Sequence, residues 1–286
     1  GDGGCGDEEK KSGSPRDRTC AAAPRKKVSV LYVFVEIRVD VAHAVDCVEV
    51  TLRAAPTGDN GGGVLYVMGT VQFRAAVAQL AETLRARLNL PGGGGGAWEV
   101  TIPQAKPLSP GEVLGCTSPR LADPGPGGGR SVMIFLADGR FHLEAAMISN
   151  PHVQALRYDP YAKVLTEEKY ETDHMKRIRH RAILDARSAD TFGLILGTLG
   201  RQGNPAILGR IRSLLREHHK RYFIVLLSEI RPDRLALMTH ADAWVQVACP
   251  RLSVDWGHFF DVPVLSPFEL EVCMGAVPWV DGGGEG

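Results

Sequence analysis

The stretch "TFGLILGTLGRQGNPAILGRIRSLLREHHKRYFIVLLS", residues 191–228, alternates between apolar runs and an amphipathic segment. Its first and last parts, 191–198 and 221–228, are rich in Ile, Leu, Val and Phe, which is typical of buried strands. Between them, residues 205–220 carry apolar side chains at helical spacing, and Pro205 suits the first turn of a helix. The stretch therefore predicts a strand–helix–strand unit whose two strands run parallel in one sheet.

The same alternation is predicted over most of the chain. A long helix is expected over 166–187, with Thr166 as a candidate N-cap. A strand over 243–249 follows a short helix near 231–238. The other expected elements are strands over 28–41, within 61–73, over 98–103 and over 131–142, and a helix over 74–90.

These elements predict an α/β protein made of two similar Rossmann-like domains with mostly parallel sheets. We expect one domain over 28–154 and the other over 155–286. Residues 1–27 are rich in Gly, Ser, Ala and charged residues without periodicity, and we expect them to be a disordered, low-complexity amino end. Because the chain has no initiator Met, it is expected to begin within a longer protein.

The composition is that of a globular protein, with 44% hydrophobic and 23% charged residues. The 33 basic side chains balance 33 acidic ones, which argues against extensive electrostatic binding to nucleic acid or to an anionic membrane. No apolar run approaches the roughly 20 residues that span a bilayer. The amino end lacks the apolar core of a secretory signal, so a cytoplasmic, reducing location is expected.

Two of the six cysteines stand in positions that suggest metal binding. Cys116 lies in a segment interrupted by Pro and Gly, 106–121, and Cys249 directly follows an apolar run. A Pro-Arg pair follows each of them closely, and a nearby arginine favours the thiolate that binds metal. The alternative is two unrelated thiols, since neither a CxxC pair nor a zinc-finger spacing occurs and free Cys is often buried.

A glycine-bearing loop within 193–205 could hold an anion. Backbone N–H groups at the start of the following helix can bind a carboxylate or phosphate. Arg201 and Gln202 are the polar side chains of this loop. Its spacing matches neither GxGxxG nor a Walker P-loop, so a tight turn without a ligand remains the alternative.

Six segments of this chain resemble those of one family, and they occur in the same order. The segments are "YVFVEIRVDVAH", "KPLSPGEVLGCTSPRL", "DGRFHLEAAMI", "RYDPYAKVLTEEKY", "LILGTLGRQGNPAIL" and "VQVACPRLSVDWG". They resemble subunit 1 of the eukaryotic diphthamide synthases, the 2-(3-amino-3-carboxypropyl)histidine synthases, over about residues 28–275. The resemblance implies a transferase that moves a 3-amino-3-carboxypropyl group from S-adenosylmethionine to a histidine of elongation factor 2, the first step of diphthamide biosynthesis.

The resemblance also implies a 4Fe–4S cluster held by three cysteines, one from each of three α/β domains, in place of a CxxxCxxC loop. Cys116 and Cys249 match the ligands of the second and third domains. The loop residues Arg201, Gln202 and Gly203 match a region that binds S-adenosylmethionine. Arg251 is expected to bind the carboxylate of that molecule through its guanidinium, with Ser228 and Glu229 as further cofactor-binding candidates.

The chain departs from the family pattern at its amino end. Residues 1–27 do not resemble the family's first domain, so this domain and the third ligand are expected to be missing and the activity impaired. The implied partners are subunit 2 in a heterodimer, a small iron-bearing electron donor and elongation factor 2, with no direct nucleic acid and no membrane. The alternatives are a non-catalytic α/β partner subunit without a cluster and a generic nucleotide-binding protein.

Overall fold

The computed structural model describes residues 31, 37–54, 62–89, 97–123, 129–200 and 202–279. The expected disordered segment 1–27 and most of the expected strand over 28–41 lie outside these ranges. The residues from Glu36 onward form one compact unit, which holds two sheets. All but one of the strand pairings are parallel, which confirms the predicted α/β class.

The first lobe consists of a five-stranded sheet and three helices. The strands are β1 (Gly63–Gly69), β2 (Trp98–Thr101), β3 (Arg130–Leu136), β4 (Gln154–Asp159) and β5 (Val164–Glu168). Their order in the sheet is β2-β1-β3-β4-β5, and only β5 is antiparallel to its neighbour. Helices α1 (Val41–Ala54) and α2 (Arg74–Leu88) cover one face, and α3 (Phe141–Ser149) covers the other.

The second lobe consists of a four-stranded parallel sheet and five helices. The strands are β6 (Thr191–Gly197), β7 (Arg221–Leu227), β8 (Ala243–Val247) and β9 (Val264–Leu265), and their order in the sheet is β7-β6-β8-β9. The helices are α4 (Thr172–Ala186), α5 (Pro205–Glu217), α6 (Pro232–Leu235), α7 (Arg251–Trp256) and α8 (Pro267–Cys273). Helices α4, α5 and α8 pack on one face, while the other face holds Trp244, which lies against Gly193 where any Cβ would overlap its ring.

The two lobes repeat one arrangement of strands. In each lobe an inner strand (β1 or β6) is followed by a helix, an edge strand (β2 or β7) and a second inner strand (β3 or β8). Both first strands end in Gly-Thr, at Gly69 and at Gly197. This repetition places comparable turns at the carboxyl edge of each sheet, which is where open parallel sheets bind ligands.

The structure differs from the prediction around residue 155. Strands β4 and β5 follow the expected boundary at 154/155, yet they hydrogen-bond within the first sheet. The change from one sheet to the other therefore lies between Glu168 and Thr191. Thr166 belongs to β5, where its hydroxyl donates to Glu168 Oε1 at 2.8 Å, so the helix expected from 166 begins only at Thr172.

Helix α1 was not predicted. It begins at Val41, at the end of the segment that we expected to be a strand. Asp40 accepts a hydrogen bond from the backbone N–H of His43 at 3.2 Å, as N-cap aspartates do. The β-branched residues before residue 41 favoured a strand, so Asp40 was not interpreted as the N-cap of a helix.

Candidate functional site

Cys116 lies at the tip of a tight turn beyond the carboxyl end of β1. The backbone groups of Leu114 and Thr117 bond to each other, which leaves Gly115 and Cys116 between them. The loop is fixed to the sheet because Gly69 donates to the carbonyl of Gly111 at 2.9 Å and Val113 donates back to Gly69 at 3.2 Å. The thiol is free and exposed, as the Pro- and Gly-rich sequence of the loop predicts.

Cys249 lies in the turn between β8 and α7, and its thiol is free and half-buried. Its carbonyl oxygen accepts a hydrogen bond from Leu252 N at 3.0 Å and another from Gln246 Nε2 at 3.1 Å. Gln246 is 1% exposed, and the same nitrogen also donates to Ser253 Oγ at 3.0 Å. The side chain of Gln246 therefore joins the cysteine turn to the first turns of α7.

Helix α7 is in turn held by a buried arginine that sequence reasoning missed. Arg179 is 2% exposed and donates from Nη1 to Ser253 O at 2.9 Å and from Nη2 to Val264 O at 2.7 Å. Its remaining contacts are two bonds to the carboxylate of Glu269, at 2.7 and 2.8 Å. Ser266 and Glu269 form a capping box at the start of α8, so the S-P-F-E sequence was the available signal for Glu269.

Arg251 contacts both lobes. Its Nη1 donates to Phe141 O at 2.9 Å and its Nη2 to Glu144 Oε2 at 2.6 Å, while Nε donates to Asp255 Oδ1 at 2.9 Å. Burial by itself lowers the pKa of Arg251, but the hydrogen bonds to Asp255 and Glu144 outweigh it and raise the pKa above its usual value. The guanidinium that we expected to bind a substrate carboxylate is thus occupied by groups of the chain itself.

Phe141 is where the two cysteine loops meet. The guanidinium of Arg251 lies 4.6 Å from the centre of the Phe141 ring. The same ring packs on Gly115, where a Cβ would overlap it. Since Gly115 precedes Cys116 and Arg251 is two residues after Cys249, one phenyl ring separates the neighbours of the two cysteines.

The other candidate residues of the second lobe lie along the same edge of its sheet. Gln202 and Gly203 follow β6, and Gly203 packs so closely on the carbonyl of Gly197 that a Cβ would overlap it. Ser228 and Glu229 follow the neighbouring β7 and are exposed. Arg201 lies outside the described residues.

The start of α5 faces this edge with its backbone capped. Asn204 accepts a hydrogen bond through Oδ1 from Ala206 N at 2.9 Å, and Pro205 occupies the first turn. Asn204 thereby satisfies one of the backbone N–H groups at the helix start. The arrangement suits an anionic group at this position.

The remaining cysteines are placed differently. Cys273 is buried in the core of the second lobe, and burial raises its pKa. Cys47 is half-buried on α1, and Cys5 and Cys20 lie outside the described residues. Within the described ranges, no three His, Cys, Asp or Glu side chains form a group that could hold a metal ion. None of the helices described is long and apolar enough to cross a bilayer.

Several relatives of this chain share one name. This chain is 44% identical over 256 residues to 2-(3-amino-3-carboxypropyl)histidine synthase subunit 1 of Dictyostelium discoideum, and the match covers 88% of this chain and 51% of the relative. The same-named protein of Nematostella vectensis is 47% identical over 252 residues (88% and 49%), and that of Homo sapiens is 46% identical over 250 (87% and 52%). The chain thus spans about half the length of these relatives.

A solved structure has the same fold. The crystal structure of Dph2 from Pyrococcus horikoshii superposes with a TM-score of 0.65 at 25% identity, covering 86% of this chain and 65% of that one. A second structure of Dph2, with a 4Fe–4S cluster, gives 0.62 at 24% identity, with 85% and 64% covered. The family model described as putative diphthamide synthesis protein matches residues 18–282. With the sequence match, the shared fold and the close relatives in agreement, this chain belongs to the diphthamide synthesis protein family.

Proposed function

We propose that this chain is a subunit of the transferase that carries out the first step of diphthamide biosynthesis. The reaction moves a 3-amino-3-carboxypropyl group from S-adenosylmethionine to a histidine of elongation factor 2. The observation that carries the proposal is the meeting of the Cys116 and Cys249 loops across Phe141. The residue before one free thiol and the residue two positions after the other, from two different lobes, thereby contact the same phenyl ring.

The chemistry of these residues fits an iron–sulfur cluster. Cys116 is exposed and Cys249 half-buried, neither is in a disulfide, and thiolates are the usual ligands of such clusters. Within the described residues these two thiols make up the ligand set, so the third ligand of a 4Fe–4S cluster comes from outside them. When bound, the cluster supplies electrons one at a time. The structure of Dph2 with a 4Fe–4S cluster supports this assignment.

The chain's own residues bind and orient the substrate. We assign the carboxylate of S-adenosylmethionine to the loop of Arg201, Gln202 and Gly203 at the start of α5, where backbone N–H groups and the helix dipole favour an anion. Arg251 is not assigned this role, because its donors already bind Phe141, Glu144 and Asp255. Ser228 and Glu229 lie beyond the adjacent strand and line the same edge of the sheet.

The partners follow from the same assignment. The relatives are named subunit 1, which supports a partner subunit. We propose a heterodimer with diphthamide synthase subunit 2, a small iron-bearing protein as electron donor, and elongation factor 2 as the protein substrate, all in the cytoplasm.

The test is anaerobic reconstitution with iron and sulfide, followed by reduction and EPR. The chain is mixed with cluster-free subunit 2, and a Cys116→Ala, Cys249→Ala double variant is prepared in parallel. We expect a reducible 4Fe–4S signal that disappears in the double variant and persists in a Cys47→Ser control. A signal of equal size in the double variant, or none in the unmodified chain, would contradict the assignment.

A further inference from the structure

We propose that Arg251, Glu144 and Phe141 form an interlobe clamp that sets the separation of the Cys116 and Cys249 sulfur atoms. Arg251 and Glu144 are then positioning residues rather than substrate ligands. That the clamp positions cluster ligands rests on the proposed function, whereas the contacts that form the clamp do not depend on it.

The clamp fixes the guanidinium of Arg251 in one orientation. Nη1 bonds to the main chain of α3 at Phe141, and Nη2 to the side chain of Glu144 one turn further along that helix. Nη2 also lies 2.9 Å from Asp255 Oδ2, which belongs to the helix of Arg251 itself. A planar fork bound to three separate acceptors has no freedom to rotate without breaking one of them. The start of α7 is therefore held at a defined place on α3.

On the first lobe, the clamp continues into the sheet through alternating charges. Glu144 also lies 3.5 Å from the Nε of Arg140, and Arg140 pairs with Glu168 at 3.0 Å. Glu168 in turn accepts from Arg157 on β4 at 2.9 Å. Glu144 thus lies between Arg251 and Arg140, and Glu168 between Arg140 and Arg157. A movement of Glu144 away from the first lobe, together with Arg251, would break its ion pair with Arg140.

On the second lobe, the clamp is connected to Cys249 by rigid links. Arg251 is two residues beyond the cysteine, and the carbonyl of Cys249 is bonded to both Gln246 and Leu252. A shift of Arg251 therefore moves the cysteine turn with it. On the other side of the clamp, the Phe141 ring packs on Gly115 and acts as the spacer for Cys116.

The chemistry of the clamp suggests a geometric role rather than one in stability alone. Arg251 is 6% exposed, and replacing a buried ion pair by apolar side chains of similar size is often neutral or stabilising. Glu144 is half-buried, and the hydrogen bonds of Arg251 to Glu144 and to the Phe141 carbonyl have fixed directions, so they restrict the arrangement of α7 on α3 in a way that a non-directional apolar contact does not. Ligands of a metal cluster must be held to within about 0.5 Å of their productive positions.

The first measurement is the distance between spin labels on Cys116 and Cys249, from the dipolar broadening of continuous-wave EPR spectra, a method suited to thiols close enough to bind one cluster. The background chain carries Cys5→Ser, Cys20→Ser, Cys47→Ser and Cys273→Ala. Into it are placed Glu144→Gln and, separately, Arg251→Lys. The control is Glu271→Gln, which breaks the 2.7 Å pair with Arg210 between α5 and α8, on the side of the second sheet away from the clamp.

We expect one narrow distance distribution in the background chain and in the control. In both clamp variants the distribution should be at least about twice as wide, because α7 is no longer fixed to α3. Thermal melts of the same samples show that they are folded. The clamp is refuted if Glu144→Gln and Arg251→Lys both keep the mean distance and width of the background.

Iron binding in chains that retain all their cysteines separates the clamp from the proposed function. Glu144→Gln should lower the iron bound after reconstitution by at least about threefold, while Glu271→Gln leaves it unchanged. If no variant and no unmodified chain binds iron, yet the distances change as expected, the proposed function fails and the clamp stands. If the distances change and iron binding does not, the positioning role is overturned.

Discussion

Gln246 donates a hydrogen bond from Nε2 to the carbonyl oxygen of Cys249, at 3.1 Å, from inside the second sheet. A polar side chain that is 1% exposed in the middle of an apolar strand is costly unless it is satisfied. Here one nitrogen serves both the cysteine turn and Ser253, while Oε1 is buried without a partner among the described residues. The sheet thus contributes a side chain whose contacts shape the turn that carries the thiol.

Replacing Gln246 by Leu removes both of these bonds while keeping the side chain's size. We expect the free energy of unfolding to fall by about 1 kcal/mol, because the Ser253 hydroxyl stays buried without its partner, while removal of the unpartnered Oε1 offsets part of that cost. Urea denaturation measures the change. Gln79→Leu, at an exposed position on α2, is the control and should change stability by less than about 0.5 kcal/mol. Equal losses in the two variants would show that the buried bonds contribute nothing.

The cysteines should react with thiol reagents in the order of their exposure. Cys116 is exposed, whereas Cys273 is buried and has a raised pKa. Only the thiolate reacts, so we expect N-ethylmaleimide to modify Cys116 at least about tenfold faster than Cys273 at neutral pH. Mass spectrometry of the peptides gives both rates from one sample. Comparable rates would place Cys273 outside the core.

Arg179→Ala should destabilise the second lobe strongly. It leaves the carboxylate of Glu269 buried and unpaired, a change that costs about 3–5 kcal/mol. The matched control on the same helix is Arg181→Ala, which breaks an exposed pair with Asp185 at 2.9 Å and should cost about 0–1 kcal/mol. The double variant Arg179→Met, Glu269→Leu should be more stable than Arg179→Ala. Urea denaturation of the unmodified chain and these three variants gives the changes in the free energy of unfolding. Similar losses for Arg179→Ala and Arg181→Ala would show that the pair of Arg179 and Glu269 behaves as a solvated one.

The charge chain that contains Glu168 predicts a pH dependence. Burial raises the pKa of Glu168, but the hydrogen bonds from Arg157 and Thr166 and the charge of Arg140 outweigh it, so the pKa is lowered from 4.5. The folded protein therefore favours the carboxylate, and this stabilisation is complete above pH 4.5 and is lost as the pH falls through the lowered value. Measured from pH 7 to pH 3, the stability advantage over Glu168→Gln should shrink at the acid end. An advantage that stays constant down to pH 3 would show that the contacts of Glu168 do not favour its carboxylate form.

The sequence predicted those elements whose signal is local. The apolar runs of β6, β7 and β8 and the amphipathic pattern of α5 fall within a few residues of their expected bounds. Strand β5 was mistaken for the start of a helix, because its charged residues suit an exposed edge strand as well as a helix. In the structure, "YDPYAKV" contains the turn of a hairpin between β4 and β5, so the chain stays in the first lobe beyond the expected boundary at 154/155.

The contacts that shape the site could not be predicted from local pattern. Arg251 and Glu144 are 107 residues apart, and Arg179 and Glu269 are 90 apart. Only the packing of one helix on another brings such pairs together, and each residue by itself resembles an ordinary surface charge. The positions of Cys116 and Cys249 and the Pro-Arg pair after each of them indicated these two residues in the sequence, whereas no pattern indicated that Phe141 lies between their loops.

The repeated arrangement of the two lobes has a consequence for how such a site can arise. Cys116 follows the edge strand β2, whereas Cys249 follows the inner strand β8, so the two thiols do not occupy corresponding turns. The turn after β3, which corresponds to that of Cys249, holds Asp138, and the turn after β7 holds Ser228 and Glu229. The common framework thus offers comparable turns at the carboxyl edge of each sheet, and the two lobes use different ones for their thiols. The position of a reactive group is therefore set by the individual turn and not by the repeated arrangement of strands.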